Sequence, residues 1–272
     1  MKTILITGTS SGIGRAAVIR FQRAGWNVAA TMRHPEKETE LQALNNVVVF
    51  PLDVTDQSSI NLAVEQVIKE FGQIDVLLNN AGYGLAGPLE AVDSVQLERQ
   101  FATNVYGPIY MAQACLPHFR MKSAGLIINV SSIGGRLTLP FNALYHGTKF
   151  AIEGISESLA QELAPQGIGV KIVEPGGVRT DFAGRSLEFM QKPDLHAYDK
   201  SIQGAMAVFS STDRGNDYSE ASDIAETIYN AATDGTNRLR YLAGEDALAM
   251  SDNRSKMSDE EYIEWSVAHF NL

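Results

Sequence analysis

The chain has 272 residues, 44% of them hydrophobic and 20% charged, a composition that can bury a large core without disulfide or metal staples. Its 22 basic and 32 acidic residues leave a net charge of −10, which repels phosphate backbones and anionic headgroups and argues against nucleic acid or a membrane as partner. Cys115 is the single cysteine, so no intrachain disulfide forms and a reducing compartment fits.

Met1-Lys2-Thr3 runs directly into the first expected strand, Ile4–Thr7, leaving no room for the apolar core of a signal peptide. No apolar run approaches membrane-spanning length, and the expected location is the cytoplasm. The strand ends in Thr7-Gly8-Thr9-Ser10-Ser11-Gly12-Ile13-Gly14 and passes straight into a helical pattern over Ile13–Ala24. Glycines there let the backbone turn tightly and approach a pyrophosphate, while the helix N-terminus offers free N–H groups and its positive dipole end. No lysine follows Gly14, so this is not the phosphate loop of a nucleoside triphosphatase.

A second strand, Asn27–Met32, is followed by Arg33 and His34, with no acid before Glu36. A site preferring NAD usually carries a carboxylate near this point for the ribose hydroxyls. Arg33 is placed to meet a 2′-phosphate instead, which favours NADP(H) over NAD(H); a solvated loop arginine is the plainer alternative.

Further strands are expected at Val47–Leu52, Val76–Asn79, Leu126–Val130, Val170–Val173 and Leu239–Leu242. Helical patterns lie at Ser58–Phe71, Val95–Phe119, Ala143–Leu163 and Ala221–Ala232. Apolar strands without alternation suit a parallel sheet covered on both faces. The predicted fold is therefore α/β, a Rossmann-type doubly wound parallel sheet flanked by helices, in a single domain. The catalytic domain is expected over 1–245, with a C-terminal helical tail, 246–272, packed on it. Residues 183–215 interrupt the rhythm and read either as a mobile substrate lid or as a fixed pair of helices.

Tyr145 and Lys149 stand four apart in a helical pattern, so they share one face. A lysine ammonium ~4 Å from a phenol oxygen, at an effective dielectric near 20, is worth roughly 4 kcal/mol, or about three pKa units. That would bring the tyrosine toward neutrality as a proton donor and acceptor; at longer range the shift shrinks, and a positive nicotinamide ring would have to help. His146 points to another helix face and reads as structural. Gly147 inside the helix suggests a close approach by the cofactor or a packing neighbour.

Taken together, Thr7-Gly8-x-x-x-Gly12-x-Gly14, Asn79-Asn80-Ala81-Gly82, Asn104, Ser132, Tyr145-x-x-x-Lys149 and Pro175-Gly176 resemble the short-chain dehydrogenases/reductases in order and spacing, over about residues 1–245. Segments such as ALYHGTKFAIEGISESLAQEL resemble the hydroxysteroid- and retinol-dehydrogenase-like branch. The resemblance implies an oxidoreductase acting on a carbonyl or alcohol. In it Tyr145 moves the proton, Ser132 (chosen over Ser131 by its interval from the tyrosine) polarises the substrate oxygen, and Lys149 holds the nicotinamide ribose. Asn104 supports a water that relays protons to Lys149.

The cofactor contacts it implies are Gly8, Ser10, Ser11, Gly12, Ile13 and Gly14, then Asp53 and Val54 after the third strand, and Asn79, Ala81 and Gly82 after the fourth. Pro175, Gly176, Val178 and Thr180 complete them on the nicotinamide side. Asp53 could equally cap the next helix, and Asn-Asn-Ala-Gly could be only a turn. No metal ligand set is assigned.

The expected partner is a small-molecule carbonyl or alcohol. Phe182, Phe189, Met190, Tyr198, Met206 and Phe209, with Leu137, Leu139 and Phe141, would wall an apolar pocket, or else simply fill a core. A cofactor-dependent epimerase or dehydratase and a non-catalytic redox sensor remain alternatives. The two long helical patterns, apolar on more than one face at Met111, Cys115, Phe150 and Ile152, together with the resemblance imply a homodimer or homotetramer.

Overall fold

The computed structural model describes residues 1–180, 186–211 and 218–272. Strands β1 (Thr3–Thr7), β2 (Asn27–Met32), β3 (Val47–Pro51), β4 (Val76–Asn79), β6 (Gly125–Val130), β7 (Ile168–Pro175) and β11 (Arg240–Ala243) form one sheet in the order β11-β7-β6-β4-β1-β2-β3. Every pairing in it is parallel. All five residues of β1 are buried, as a strand covered on both faces requires. The order reverses between β1 and β4, and such switch points open the cleft where α/β sheets bind ligands.

One face of the sheet carries α1 (Gly12–Arg23) and α7 (Ala221–Thr233), whose Phe21, Ile224 and Ile228 pack on Ile4, Ile6 and Val28. The other carries α2 (Gln57–Phe71), α4 (Gly107–Lys122) and α5 (Ala143–Leu163), with Ile60, Met111, Cys115 and Phe119 against Leu5, Leu77 and Ile127. No described helix is long and apolar enough to cross a membrane.

The expected helix Val95–Phe119 is interrupted. It is α3 (Ser94–Phe101), a π-helical segment Ala102–Tyr106, and α4. Apolar periodicity runs through such a bulge without a visible break, and bulges of this kind gather at functional sites. Met111, Cys115 and Ile152 face inward with at most 3% exposure, which corrects their reading as an outer apolar face; Val95, Leu97, Tyr106 and Phe150 are the exposed large apolar members of the two patterns.

The substrate side is more irregular. Strand β5 (Gly84–Ala86) pairs with β9 (Leu187–Phe189), and β8 (Val178–Arg179) with β10 (Ser219–Glu220). Helix α6 (Asp199–Phe209) lies within the insertion, while α8 (Glu245–Ser255) and α9 (Asp259–His269) form the C-terminal segment. Tyr262 donates from its hydroxyl to Thr138 O (2.6 Å), and Phe209 meets Phe270 at 5.2 Å between ring centroids. Of the residues expected to wall a pocket, Leu137 and Phe209 are instead core contacts, Met206 is exposed, and Phe182 lies outside the described residues.

Candidate active site

The glycine loop is shaped by steric necessity. A Cβ on Gly8, whose φ is +72°, would stand 2.8 Å from Ala81 Cα, and one on Gly14 would stand 2.3 Å from Gly8 O and 2.5 Å from Asn80 Nδ2. Asn80 staples the loop by donating to Thr7 O (2.9 Å) and Gly8 O (3.0 Å). Thr7 Oγ1 in turn accepts from the Asn80 and Ala81 amides, both at 3.0 Å. Ser10 and Ser11 lead into α1, where Ser11 is the N-cap in extended conformation (φ −163°) without a side-chain cap and with no acid in the first turn. The N–H groups around Ile13 therefore face the cleft's end of the sheet with their dipole uncompensated, which suits a pyrophosphate. Thr180 comes close to the same loop: its Cγ2 is 3.4 Å from where a Gly12 Cβ would be.

Arg33 is exposed at the end of β2. The nearby Arg15 is held by Glu38 (2.6 Å) and Glu40 (2.5 Å), and it keeps the Glu38 carboxyl below the usual carboxylate range. Asp53 Oδ1 accepts from Thr55 N (2.9 Å) and Thr55 Oγ1 (2.7 Å), forming a turn; the cap of α2 is Asp56, not Asp53. Val54 is buried against Gly107.

Asn79, expected beside the adenosine, directs its side chain into the protein. It is a buried strand residue whose Nδ2 donates to Asn129 Oδ1 (2.9 Å) and Pro108 O (3.4 Å), because alternate strand residues face opposite layers. Its neighbour Asn80 meets the loop instead.

The second cluster sits at the ends of β6 and β7. Ser132 Oγ accepts from Gly134 N (3.0 Å), lies 3.4 Å from Pro175 O, and shares a hydrogen bond with the Tyr145 side chain. Lys149, one turn on along α5, donates from Nζ to Val130 O (3.0 Å) and stands 5.6 Å from the centroid of the Tyr145 ring. Burial pulls Lys149 down to about 8, with Glu153 acting in the opposite sense.

Tyr145 does not show the expected lowering. Burial raises its pKa, and Ser132 only partly opposes this. Desolvation of the phenol outweighs the hydrogen bond with Ser132, and the Lys149 ammonium is directed to Val130 O. Asn104, in the π segment, donates to Tyr83 O (2.8 Å) and Thr148 Oγ1 (3.2 Å) and accepts from Tyr83 N (3.1 Å). Its amide thus braces the 82–84 turn against α5, and Gly82 is confined by the same amide, 3.2 Å from its would-be Cβ.

A family profile described as short chain dehydrogenase matches residues 2–191. The chain belongs to this family. An uncharacterised oxidoreductase of Schizosaccharomyces pombe is 41% identical over 235 residues, 85% of this chain and 96% of that protein. A 3-ketodihydrosphingosine reductase of Bacteroides thetaiotaomicron is 42% identical, covering 66% of this chain and 65% of its own. Human 17-beta-hydroxysteroid dehydrogenase type 1 is 36% identical, covering 74% and 65%.

Among solved structures, a short-chain dehydrogenase from Streptomyces avermitilis superposes with a TM-score of 0.85 at 32% identity, covering 98% of this chain and 97% of that one. ElxO with NADP bound gives 0.72 at 29%, covering 89% and 97%. A Brucella melitensis 3-ketoacyl-(acyl-carrier-protein) reductase complexed with NADH gives 0.73 at 25%, covering 89% and 96%. This short-chain dehydrogenase is an NAD(P)-dependent oxidoreductase.

Several residues of the site escape sequence reasoning. Thr7 and Asn80 stand inside the quoted motifs, but their hydrogen bonds to each other's loops are set by the fold and have no sign in the spacing. Asp246, in the first turn of α8, accepts from Gly177 N (2.6 Å) and ties the C-terminal helices to the stretch that follows β7. His146 is structural, as its helix position suggests: Nδ1 lies 2.7 Å from Gly134 O and Nε2 accepts from Leu139 N (3.3 Å), fixing the loop that carries Ser132. Of the two approaches suggested for Gly147, no packing neighbour is found within 4 Å of its would-be Cβ among the described residues.

Proposed function

We propose that this short-chain dehydrogenase interconverts an apolar ketone and its secondary alcohol, prefers NADP(H) to NAD(H), and uses Tyr145 as general acid and base. The observation that carries the reading is the hydrogen bond between Ser132 and Tyr145, with Lys149 one helical turn away and the glycine loop at the end of β1, separated from β6 by β4.

Gly8, Ser10, Ser11, Gly12, Ile13 and Gly14 would hold the pyrophosphate, and Arg33 the 2′-phosphate. Asp53, Val54, Ala81 and Gly82 would border the adenosine. Pro175, Gly176, Val178 and Thr180 would hold the nicotinamide side with Lys149. The bound cofactor supplies or accepts the hydride.

Ser132 then donates to the substrate oxygen, and Tyr145 delivers a proton to it in reduction or removes one in oxidation. The raised pKa of Tyr145 favours the protonated phenol, the form that ketone reduction needs. Asn104, joined to Thr148 beside Lys149, supports the floor on which the resemblance puts a relay water.

Two observations support an apolar substrate. Met190 is buried with Leu85 and Ala91, and Leu144, next to Tyr145, packs on the same cluster. The named relatives include a ketodihydrosphingosine reductase and a hydroxysteroid dehydrogenase. Self-association as a homodimer or homotetramer belongs to the same reading, and a monomer by light scattering at micromolar concentration would overturn it. NADPH and NADH oxidation with a panel of ketones tests the whole. Faster turnover with NADPH and with apolar ketones is expected; NADH outrunning NADPH, or hydrophilic ketones outrunning apolar ones, would contradict it.

A further inference from the structure

Beneath the Ser132–Tyr145–Lys149 centre lie two carboxyl groups that it does not use. Glu153 is on α5, one turn beyond Lys149 on the same buried face, and is 5% exposed. Glu174 is on β7 and 2% exposed. The two side chains are within hydrogen-bond reach of each other, yet Glu153 Oε1 and Glu174 Oε1 have no hydrogen-bond donor among the described residues. Two buried carboxylates facing each other in this way disfavour joint ionisation below neutral pH, and one proton between them supplies the missing donor.

The surrounding charges do not remove the conflict. Arg240, on β11, donates to Glu153 Oε2 (2.9 Å) and to Glu157 on α5 (2.5 Å), and lies 3.6 Å from Glu174 Oε1. Arg136, from the loop before α5, is 3.5 Å from the same oxygen. Lys171 of β7 is bound to Asp234 and Ala231 O. Asp246 of α8 lies against Gly176, just past the end of β7, and accepts from Gly177 N. Buried Ser131 Oγ and Glu153 Cγ both stand within 3 Å of the point where a Gly135 Cβ would be, and Lys149 O is 3.2 Å from it, so pair and catalytic turn meet in one small volume.

We propose that Glu153 and Glu174 hold a single proton between them and act as positioning residues for Lys149, the negative charge they retain keeping its buried ammonium protonated. This rests on the reading of Lys149 as part of the active centre. Burial together with Glu153 pushes Glu174 up to about 7, and the field of Glu153 opposes the burial that draws Lys149 down. At lower pH the pair carries one negative charge; as pH rises through neutrality it gains a second and holds the ammonium more firmly. Removing both charges should let Lys149 lose its proton at lower pH.

The test is the titration of the Lys149 side chain, followed by NMR of protein carrying 13C-labelled lysine and assigned by the signal lost in Lys149→Met. Glu174→Gln, which holds the pair at one negative charge, should lower the Lys149 midpoint only slightly, because Glu153, whose field acts on the ammonium, remains. Glu153→Gln should lower it, and Glu153→Gln/Glu174→Gln should lower it further, by about one pH unit. The alkaline limb of kcat/KM for ketone reduction should move by the same amount, with the plateau kept.

An unmoved Lys149 midpoint in Glu153→Gln, or in the double variant where it folds, would overturn the proposal. So would a Glu174→Gln midpoint lowered as far as the double variant's. Neither outcome bears on the active centre itself, because the NMR readout needs no turnover.

Discussion

The cofactor side and the substrate side of this short-chain dehydrogenase are held together by different physics. The cofactor side rests on a buried parallel ladder, glycines with no room for a Cβ, and the Thr7–Asn80 staple. The substrate side rests on short two-stranded pairings and exposed polar contacts. Arg99 pairs with Glu188, Lys192 donates to Glu90 O (2.8 Å), and Tyr198 donates to Glu90 Oε2 (3.3 Å). Exposed ion pairs contribute little in water, whereas a filled backbone contact resists any change. One side is built to hold a constant ligand, and the other can vary without endangering the fold.

The largest effect that would sharpen this contrast is at Gly14. Gly14→Ala puts a methyl into space already taken by Gly8 O and Asn80 Nδ2, and should cost about 1–3 kcal/mol in stability as well as cofactor affinity. Thermal unfolding with and without NADPH reads both; an unchanged midpoint and an unchanged NADPH-induced shift would contradict it.

A pH-dependent effect comes next, at Glu174. Its folded-state pKa, about 7, is above the ordinary 4.5, so the folded protein keeps a proton that the unfolded chain releases. That stability is present at acid pH and lost as pH rises through 7. Glu174→Gln should therefore gain on the wild type between pH 5 and pH 8, by at most about 3 kcal/mol. A constant difference in denaturation midpoint across that range would count against the shared proton.

Arg33→Ala should narrow the gap between NADPH and NADH in melting shifts while leaving unliganded stability within about 0.5 kcal/mol, as for other exposed substitutions. Glu188→Ala should likewise change stability little, within about 1 kcal/mol, because the ion pair it removes is exposed. It should nonetheless speed amide exchange at Leu187–Met190 more than anywhere in β1 or β4. Equal exchange in the two regions would erase the contrast drawn above.

How far the sequence reveals each side follows from the same difference. Strands β1, β2 and β4 and helix α5 are legible almost to the residue, because a parallel sheet demands unbroken apolar runs and a helix demands its period. The π segment at Ala102–Tyr106 is invisible, since the apolar pattern continues through it. Strands β5 and β9 are too short to carry a period, and their pairing joins residues about a hundred positions apart.

The expected lid is only partly within the described residues. Strand β9 is laddered to β5, and Gly204 of α6 lies against Asn271, so the described parts have fixed neighbours. Gly184, within that segment, lies outside the described residues. Within the site, Ser132, Tyr145 and Lys149 are brought together as their spacing suggests. The electrostatics are not legible, because the balance at Tyr145 depends on burial set against the hydrogen bond with Ser132, and only the fold sets both.

The account stands on Tyr145 as the proton donor. Single-turnover ketone reduction by the NADPH-loaded Tyr145→Phe variant is the most direct test, with NADPH binding measured on the same sample. The phenylalanine ring preserves packing and removes only the hydroxyl, so cofactor affinity should stay within about threefold, a change of under 1 kcal/mol. The reduction rate should fall by at least ~10²–10⁴. A variant that binds NADPH normally and reduces ketone at close to the wild-type rate would contradict the account.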